Sequence, residues 1–178
     1  MIFVGRLDTV KGITTLTGAA NQFNETELQL DVYGVSGDAE ARMMRLLARP
    51  GCPIRFRGFL PLDDVVNRMA EYDFVVIPSQ FFETGPFTAV EALQAGTPII
   101  ASDIASLNEF IDHGKTGWLV KPGAVAAWVV ALRAAIDEPE VAARMREQLS
   151  FPRSMSDVAS EMNSLYSRML SITSEVSS

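Results

Sequence analysis

Cysteine, histidine and basic charge are all scarce in these 178 residues. The one cysteine, Cys52, excludes an internal disulfide and a cysteine-built metal cage. It lies in the turn Arg49-Pro-Gly-Cys-Pro53 and reads as a bystander thiol. The one histidine, His113, lies in Asp112-His-Gly-Lys115, where a turn role is preferred over a catalytic base. Fifteen Lys and Arg against 22 Asp and Glu leave a net charge of −7. That excludes nonspecific nucleic-acid binding, which needs a basic surface. A small anionic ligand stays open, because local cations decide it. No apolar run reaches membrane-span length and no signal peptide stands out, so the expectation is a cytoplasmic protein without an intrinsic membrane span. G-x-G-x-x-G and Walker A patterns are missing, so neither fingerprint speaks for a nucleotide here. Internal repeats, low-complexity stretches and charge blocks are missing too.

What is present is a core. Hydrophobic residues make up 48% of the chain, enough for one globular domain over residues 1–178. Short apolar runs alternate with helical patterns. Strands are predicted at 2–5, 29–33, 54–57, 73–77, 98–102 and 117–120. Helices are predicted at 11–23, 38–48, 62–71, 86–95, 105–112, 123–137, 140–149 and 155–171. This alternation implies an α/β fold with a doubly wound, mostly parallel sheet. Gly96 suits a left-handed cap, with Pro98 after it, and Pro61 suits a helix start.

The last helix carries Val158, Met162, Leu165, Tyr166, Met169 and Leu170 on one apolar face. Packing on this domain and docking elsewhere both explain that face. Residues 171–178 read as a loose tail.

Two segments carry candidate chemistry. In Phe81-Phe-Glu-Thr-Gly-Pro-Phe-Thr-Ala-Val-Glu91, Pro86 suits the first helical position. The amides of Phe87 and Thr88 would then be donors at a positive helix end. Glu83 precedes that end. Glu91 lies about 7.5 Å beyond Pro86 along the axis at 1.5 Å per residue. Together the two acids could grip a hydroxyl-rich ligand. Among 22 acidic residues such a pair also arises by chance. In Ile2-Phe-Val-Gly-Arg-Leu-Asp-Thr-Val-Lys-Gly12, Arg6 and Lys11 sit between a strand and a helix. Gly5 lets the backbone turn sharply or approach a ligand. Arg6 can fork onto phosphate oxygens and Lys11 adds a point charge. A bound diphosphate and two ordinary surface cations fit this segment about equally. In open α/β sheets ligands sit at the carboxyl ends of the strands, which adds Gly34 and Gly58 as candidates.

These segments come in an ordered series. Phe3-Val-Gly-Arg-Leu…Lys11-Gly12 is followed by Pro78-Ser79…Glu83…Glu91-Ala-Leu-Gln-Ala-Gly-Thr-Pro98 and by Gly114-Lys-Thr-Gly-Trp-Leu-Val120. The series resembles the carboxy-terminal half of a retaining glycosyltransferase of the group 1, family-four class with the GT-B fold. The resemblance covers nearly the whole chain. It implies that Arg6 and Lys11 neutralise a donor diphosphate, that Glu83 contacts the donor sugar and that Glu91 holds the ribose hydroxyls. It implies that amides around Gly85 and Phe87 face the sugar or phosphates, and that Gly34 to Gly37 and Arg57 to Phe59, Gly58 among them, border the nucleotide. It implies a nucleotide diphosphate sugar as donor substrate, and no cofactor or metal. One feature departs from the pattern. Gly85-Pro86 stands where many members carry Phe-Gly, and Pro86 has no N–H to donate. The family's catalytic histidine belongs to an amino-terminal, acceptor-binding domain. That domain is the expected partner of this chain, Met1 is read as a cut within a longer protein, and helix 155–171 is expected to reach toward the partner domain.

Two other readings stay open. One is a sugar-nucleotide epimerase or phosphorylase half on the same plan. The other is a non-catalytic α/β binding domain, with Asp103 as the nearest candidate for a phospho-receiver aspartate.

Overall fold

A computed structural model describes residues 1–34, 48–81, 87–150 and 155–176. The strands are β1 Ile2–Val4, β2 Leu30–Tyr33, β3 Ile54–Gly58, β4 Val75–Ile77, β5 Ile99–Ser102 and β6 Gly117–Val120. They form one sheet in the order β3-β2-β1-β4-β5-β6. Every pairing is parallel.

The helices are α1 Ile13–Ala20, α2 Val65–Met69, α3 Phe87–Gln94, α4 Ala105–Asn108, α5 Val125–Asp137, α6 Val141–Arg146 and α7 Met155–Val176. A 3-10 turn at Leu62–Asp64 leads into α2.

Successive side chains of a strand point to opposite faces, and both faces here are apolar. Phe3, Val32, Val76 and Ile100 join Ile13, Leu16, Phe23, Trp128 and Leu132 on one face. Ile2, Val75, Ile77, Ile99 and Ala101 join Val65, Met69, Leu93 and Leu107 on the other. The sheet therefore lies between two helical layers. All four apolar positions expected on the first helix, Ile13, Leu16, Ala20 and Phe23, are fully buried.

Several boundaries differ from expectation. The first helix starts at Ile13 and not at 11, because Gly12 is left-handed at its N-cap. The helix expected over 105–112 stops at Asn108. Beyond it the Thr116 hydroxyl accepts the Asp112 amide, and the Lys115 and Thr116 amides donate to the Asp112 carbonyl, forming a turn. The helix expected over 140–149 ends at Arg146. At the far end, α7 runs on to Val176 through most of the segment expected to be loose. The helix expected at 38–48 falls, but for its last residue, outside the described residues. Gly96 is left-handed after α3, as its position implies.

Along α7, residues 156–170 are exposed. Its apolar face, from Val158 to Leu170, is turned to solvent in this chain. No helix among the described residues is long and apolar enough to cross a membrane.

Candidate functional site: the crevice between β1 and β4

The strand order reverses between β1 and β4. From β1 the chain builds outward to β2 and β3, and from β4 it builds the other way to β5 and β6. In a sheet of this order the loops leaving the two central strands diverge and open a crevice at their carboxyl ends. The loop after β1 carries Arg6 and Lys11. The segment after β4 carries Pro78-Ser79-Gln80-Phe81 toward the acidic motif.

Asp8 organises the β1 loop. Its Oδ1 accepts the Lys11 backbone N–H at 2.8 Å. Its Oδ2 lies 3.3 Å from Arg6 Nε. The Arg6 side chain is 68% exposed, so this pair adds little to stability. It holds the guanidinium by one edge, and an arginine has five N–H donors to offer.

Two glycines set the spacing of the crevice floor. A Cβ on Gly12 would lie 1.7 Å from the Pro78 carbonyl oxygen, so the two loops touch backbone to backbone. A Cβ on Gly34 would lie 1.9 Å from the Gly5 carbonyl oxygen. The Gly5 amide donates to Tyr33 O at 3.0 Å, and the Gly34 amide to Gly58 O at 2.8 Å. Gly5, Gly34 and Gly58 thus sit side by side at the ends of β1, β2 and β3. The amides of Gly5 and Gly34 are occupied, so these two shape the site through their lack of side chains.

Across the crevice, α3 begins at Phe87, whose ring is 78% exposed. Thr88 follows, half-buried. The first amides of a helix have no partner within it, and its N-terminus carries partial positive charge. Glu91 lies one turn further along and is half-buried. Burial alone raises its pKa above the usual glutamate value. Among the described residues its carboxylate has no hydrogen-bond or ion-pair partner. The structure thus brings Arg6, Lys11, Gly5, Gly34, Gly58, Phe87, Thr88 and Glu91 to one end of the sheet. Glu83, Gly85 and residues 35–37 lie outside the described residues.

Three features escape sequence reading. One is Asp8. The second is Gln80, whose side-chain amide donates to Thr15 Oγ1 at 2.7 Å. The third centres on β2 and β3, away from the β1 and β4 loops. The Tyr72 hydroxyl donates to Asp31 Oδ2 at 2.6 Å. Arg57 Nε lies 3.1 Å from Asp31 Oδ1, an ion pair short of hydrogen-bond alignment. Burial pushes the Asp31 pKa up, but the Tyr72 and Arg57 contacts outweigh it and leave the pKa lowered. Burial and the bond to Asp31 hold the Tyr72 hydroxyl well above its usual pKa.

Other features do not compete with the crevice. A cavity of about 500 Å³ opens at the amino ends of the strands, lined by Met1, Gln29, Tyr72 and Asp73 among others. Ligands of open parallel sheets bind at the other end. His113 Nδ1 accepts the Leu119 amide at 3.0 Å, a turn contact. Among the described residues no group of three or more His, Cys, Asp or Glu side chains gathers to hold a metal ion.

The model of the family described as glycosyl transferases group 1 matches residues 1–149. The chain belongs to this family. It is 31% identical over 151 residues to a glycogen synthase of Mycobacterium tuberculosis, an alignment covering 81% of this chain and 35% of that protein. It is 31% identical over 156 residues to a D-inositol 3-phosphate glycosyltransferase of Pseudarthrobacter chlorophenolicus, with 78% and 34% covered. Among solved structures, sucrose-phosphate synthase from Thermosynechococcus elongatus superposes with a TM-score of 0.79 at 27% identity, covering 96% of this chain and 45% of that one. A glycosyltransferase from Rickettsia africae shares the fold at a TM-score of 0.79 and 18% identity, with 95% and 48% covered. The α/β domain is thus the Rossmann-like half of a GT-B fold. The chain spans about a third of the length of these curated relatives.

Proposed function

We propose that this chain is the donor-binding domain of a retaining glycosyltransferase, which moves a hexosyl group from a nucleotide diphosphate sugar to an acceptor hydroxyl. The observation that carries this reading is the crevice. Two cations stand on its β1 side, and a half-buried carboxylate without a partner among the described residues stands on its α3 side. A diphosphate suits the first and a hydroxyl-bearing ribose the second.

In this reading Arg6 and Lys11 stabilise the charge that develops on the departing diphosphate. They do so as fixed side-chain cations, so the reaction runs without a metal ion. Glu91 accepts hydrogen bonds from the ribose hydroxyls. Glu83 orients the donor sugar, which keeps the reacting carbon aligned. A carboxylate near that carbon also favours the oxocarbenium-like transition state.

The acceptor and the catalytic histidine belong to a second, amino-terminal domain. The short span of this chain against its relatives supports that division. Alone, the domain binds donor without transferring sugar. We place the enzyme in the cytoplasm, which suits a chain with one unpaired thiol and no membrane-length helix among its described residues.

Calorimetric titration with UDP, GDP, ADP and their sugar conjugates tests the reading. One nucleoside diphosphate should bind. Arg6→Ala should weaken it about tenfold or more, the equivalent of one charge-assisted contact. Failure of every nucleotide to bind the folded domain sinks the proposal. Saturable transfer to an acceptor by this chain alone would refute the division of labour.

A further inference from the structure

We propose that Gln80 is a positioning residue that fastens the β4 loop to the β1 loop, so that the two sides of the donor crevice move as one body. The inference rests on the donor-binding reading above and goes beyond it, because the bonds of Gln80 run to Val10 and Thr15, which that reading gives no ligand contact.

Three contacts make the fastening. The Gln80 backbone N–H donates to the Val10 carbonyl at 2.9 Å. Its side-chain amide donates to Thr15 Oγ1 at 2.7 Å. The Gly12 backbone lies directly against the Pro78 carbonyl. Val10 and Gly12 are the chain neighbours of Lys11. Both are therefore tied to the β4 segment, one by a hydrogen bond and one by close packing. Thr15 makes a rigid anchor, since it is 5% exposed in the first turn of α1, between the fully buried Ile13 and Leu16.

In the other direction, Gln80 stands three residues before Glu83 in the chain. A shift of the β4 segment is thus passed to the loop that presents Lys11. A shift at Lys11 returns by the same contacts. Diphosphate recognition on one side and sugar-nucleoside recognition on the other are then coupled. Loss of one grip changes the value of the other.

The bond between Gln80 and Thr15 can be cut without changing shape. Gln80→Met keeps the length of the side chain and removes its donor, and Thr15→Val replaces the hydroxyl with a methyl group. Each should weaken nucleotide-sugar binding by about threefold to tenfold, the range for one net hydrogen bond. The double variant should bind no worse than the weaker single, and Thr15→Ser should bind like wild type.

A purely structural role would not predict the second measurement. In the wild-type background the affinity losses of Arg6→Ala and Glu91→Gln should not simply multiply, whereas in the Gln80→Met background they should. Wild-type affinity in Gln80→Met overturns the proposal. So does a loss of affinity that leaves the Arg6–Glu91 coupling intact. If the wild-type domain binds no nucleotide at all, the donor-binding reading fails instead, and hydrogen exchange then decides the fastening. Gln80→Met should speed exchange at the Lys11 and Gly12 amides, and unchanged exchange there overturns it.

Discussion

Asp31, on the β2 flank, and Glu91, beside the crevice, are both carboxylates withdrawn from water, and their proton affinities move in opposite directions. Folding gives Asp31 two partners, Tyr72 and Arg57. It gives Glu91 none among the described residues, and burial alone acts on it. Burying a charge without a partner costs free energy. On the proposed reading, the difference separates an acid that ties parts of the fold together from one that a ligand hydroxyl would satisfy.

The sharpest way to break this comparison is to remove the satisfied acid. Asp31→Ala takes from the half-buried Tyr72 hydroxyl its 2.6 Å bond to a carboxylate and frees Arg57. It should cost about 1.5–3 kcal/mol of stability, the range for a hydrogen bond to a charged group. Chemical denaturation would show it as a lower midpoint, with nucleotide affinity nearly unchanged. A variant as stable as wild type would mean that the network is ornamental.

Glu91→Gln should do the reverse. It removes a desolvated charge while keeping shape, so the melting temperature should hold or rise by a degree or two. Affinity for a ribonucleotide donor should fall about tenfold, and a 2′,3′-dideoxy donor should show no such loss. A drop in stability together with unchanged affinity would exchange the roles assigned to the two acids.

The acid limb of stability distinguishes them a third way. The folded pKa of Asp31 lies below its usual 3.8, so its contribution is present above that value and is lost as pH falls through the folded pKa. Glu91 has a folded pKa above its usual 4.5, so its penalty acts at neutral pH and lifts as pH falls through the raised pKa. Thermal melts from pH 7 to pH 3 should therefore show Tyr72→Phe flattening the loss below about pH 4. Glu91→Gln should remove a small gain at higher pH. Identical profiles for both variants would contradict the assigned shifts.

The smallest expected effect lies outside both regions. Leu165 on α7 is 41% exposed, and Leu165→Ala should change the stability of this chain by no more than about 0.5 kcal/mol. The same truncation at Leu16, which is fully buried, should cost about 2–5 kcal/mol. Equal losses at the two sites would show that α7 is covered after all.

These contrasts also mark what sequence could and could not convey. All six strands were legible to within two residues at either end: strands buried on both faces write themselves as short apolar runs, and the edge strand β3 as an alternation of Ile54 and Phe56 with Arg55 and Arg57. The face of α1 was legible for the same reason. On α7, periodicity identified the apolar side but said nothing of what covers it. The cations of the crevice were legible because a local segment carries them. Asp31 with Tyr72 and Thr15 with Gln80 were not, since 41 and 65 residues separate the partners and only the fold brings them together. The extent of the first helix was misjudged at Gly12, where contact with a distant loop overrides helix-compatible neighbours.

That contact at Gly12 has a consequence for how such a domain can diversify. The interval between the two crevice loops is the thickness of two main chains. Any side chain at residue 12 acts as a wedge, driven in beside the lysine that follows Val10. On the proposed reading, donor preference can therefore drift through the outer residues of either loop while residue 12 admits nothing. In a saturation library scored separately for folding and for nucleotide capture, residue 12 should stand as a blank column beside tolerant ones.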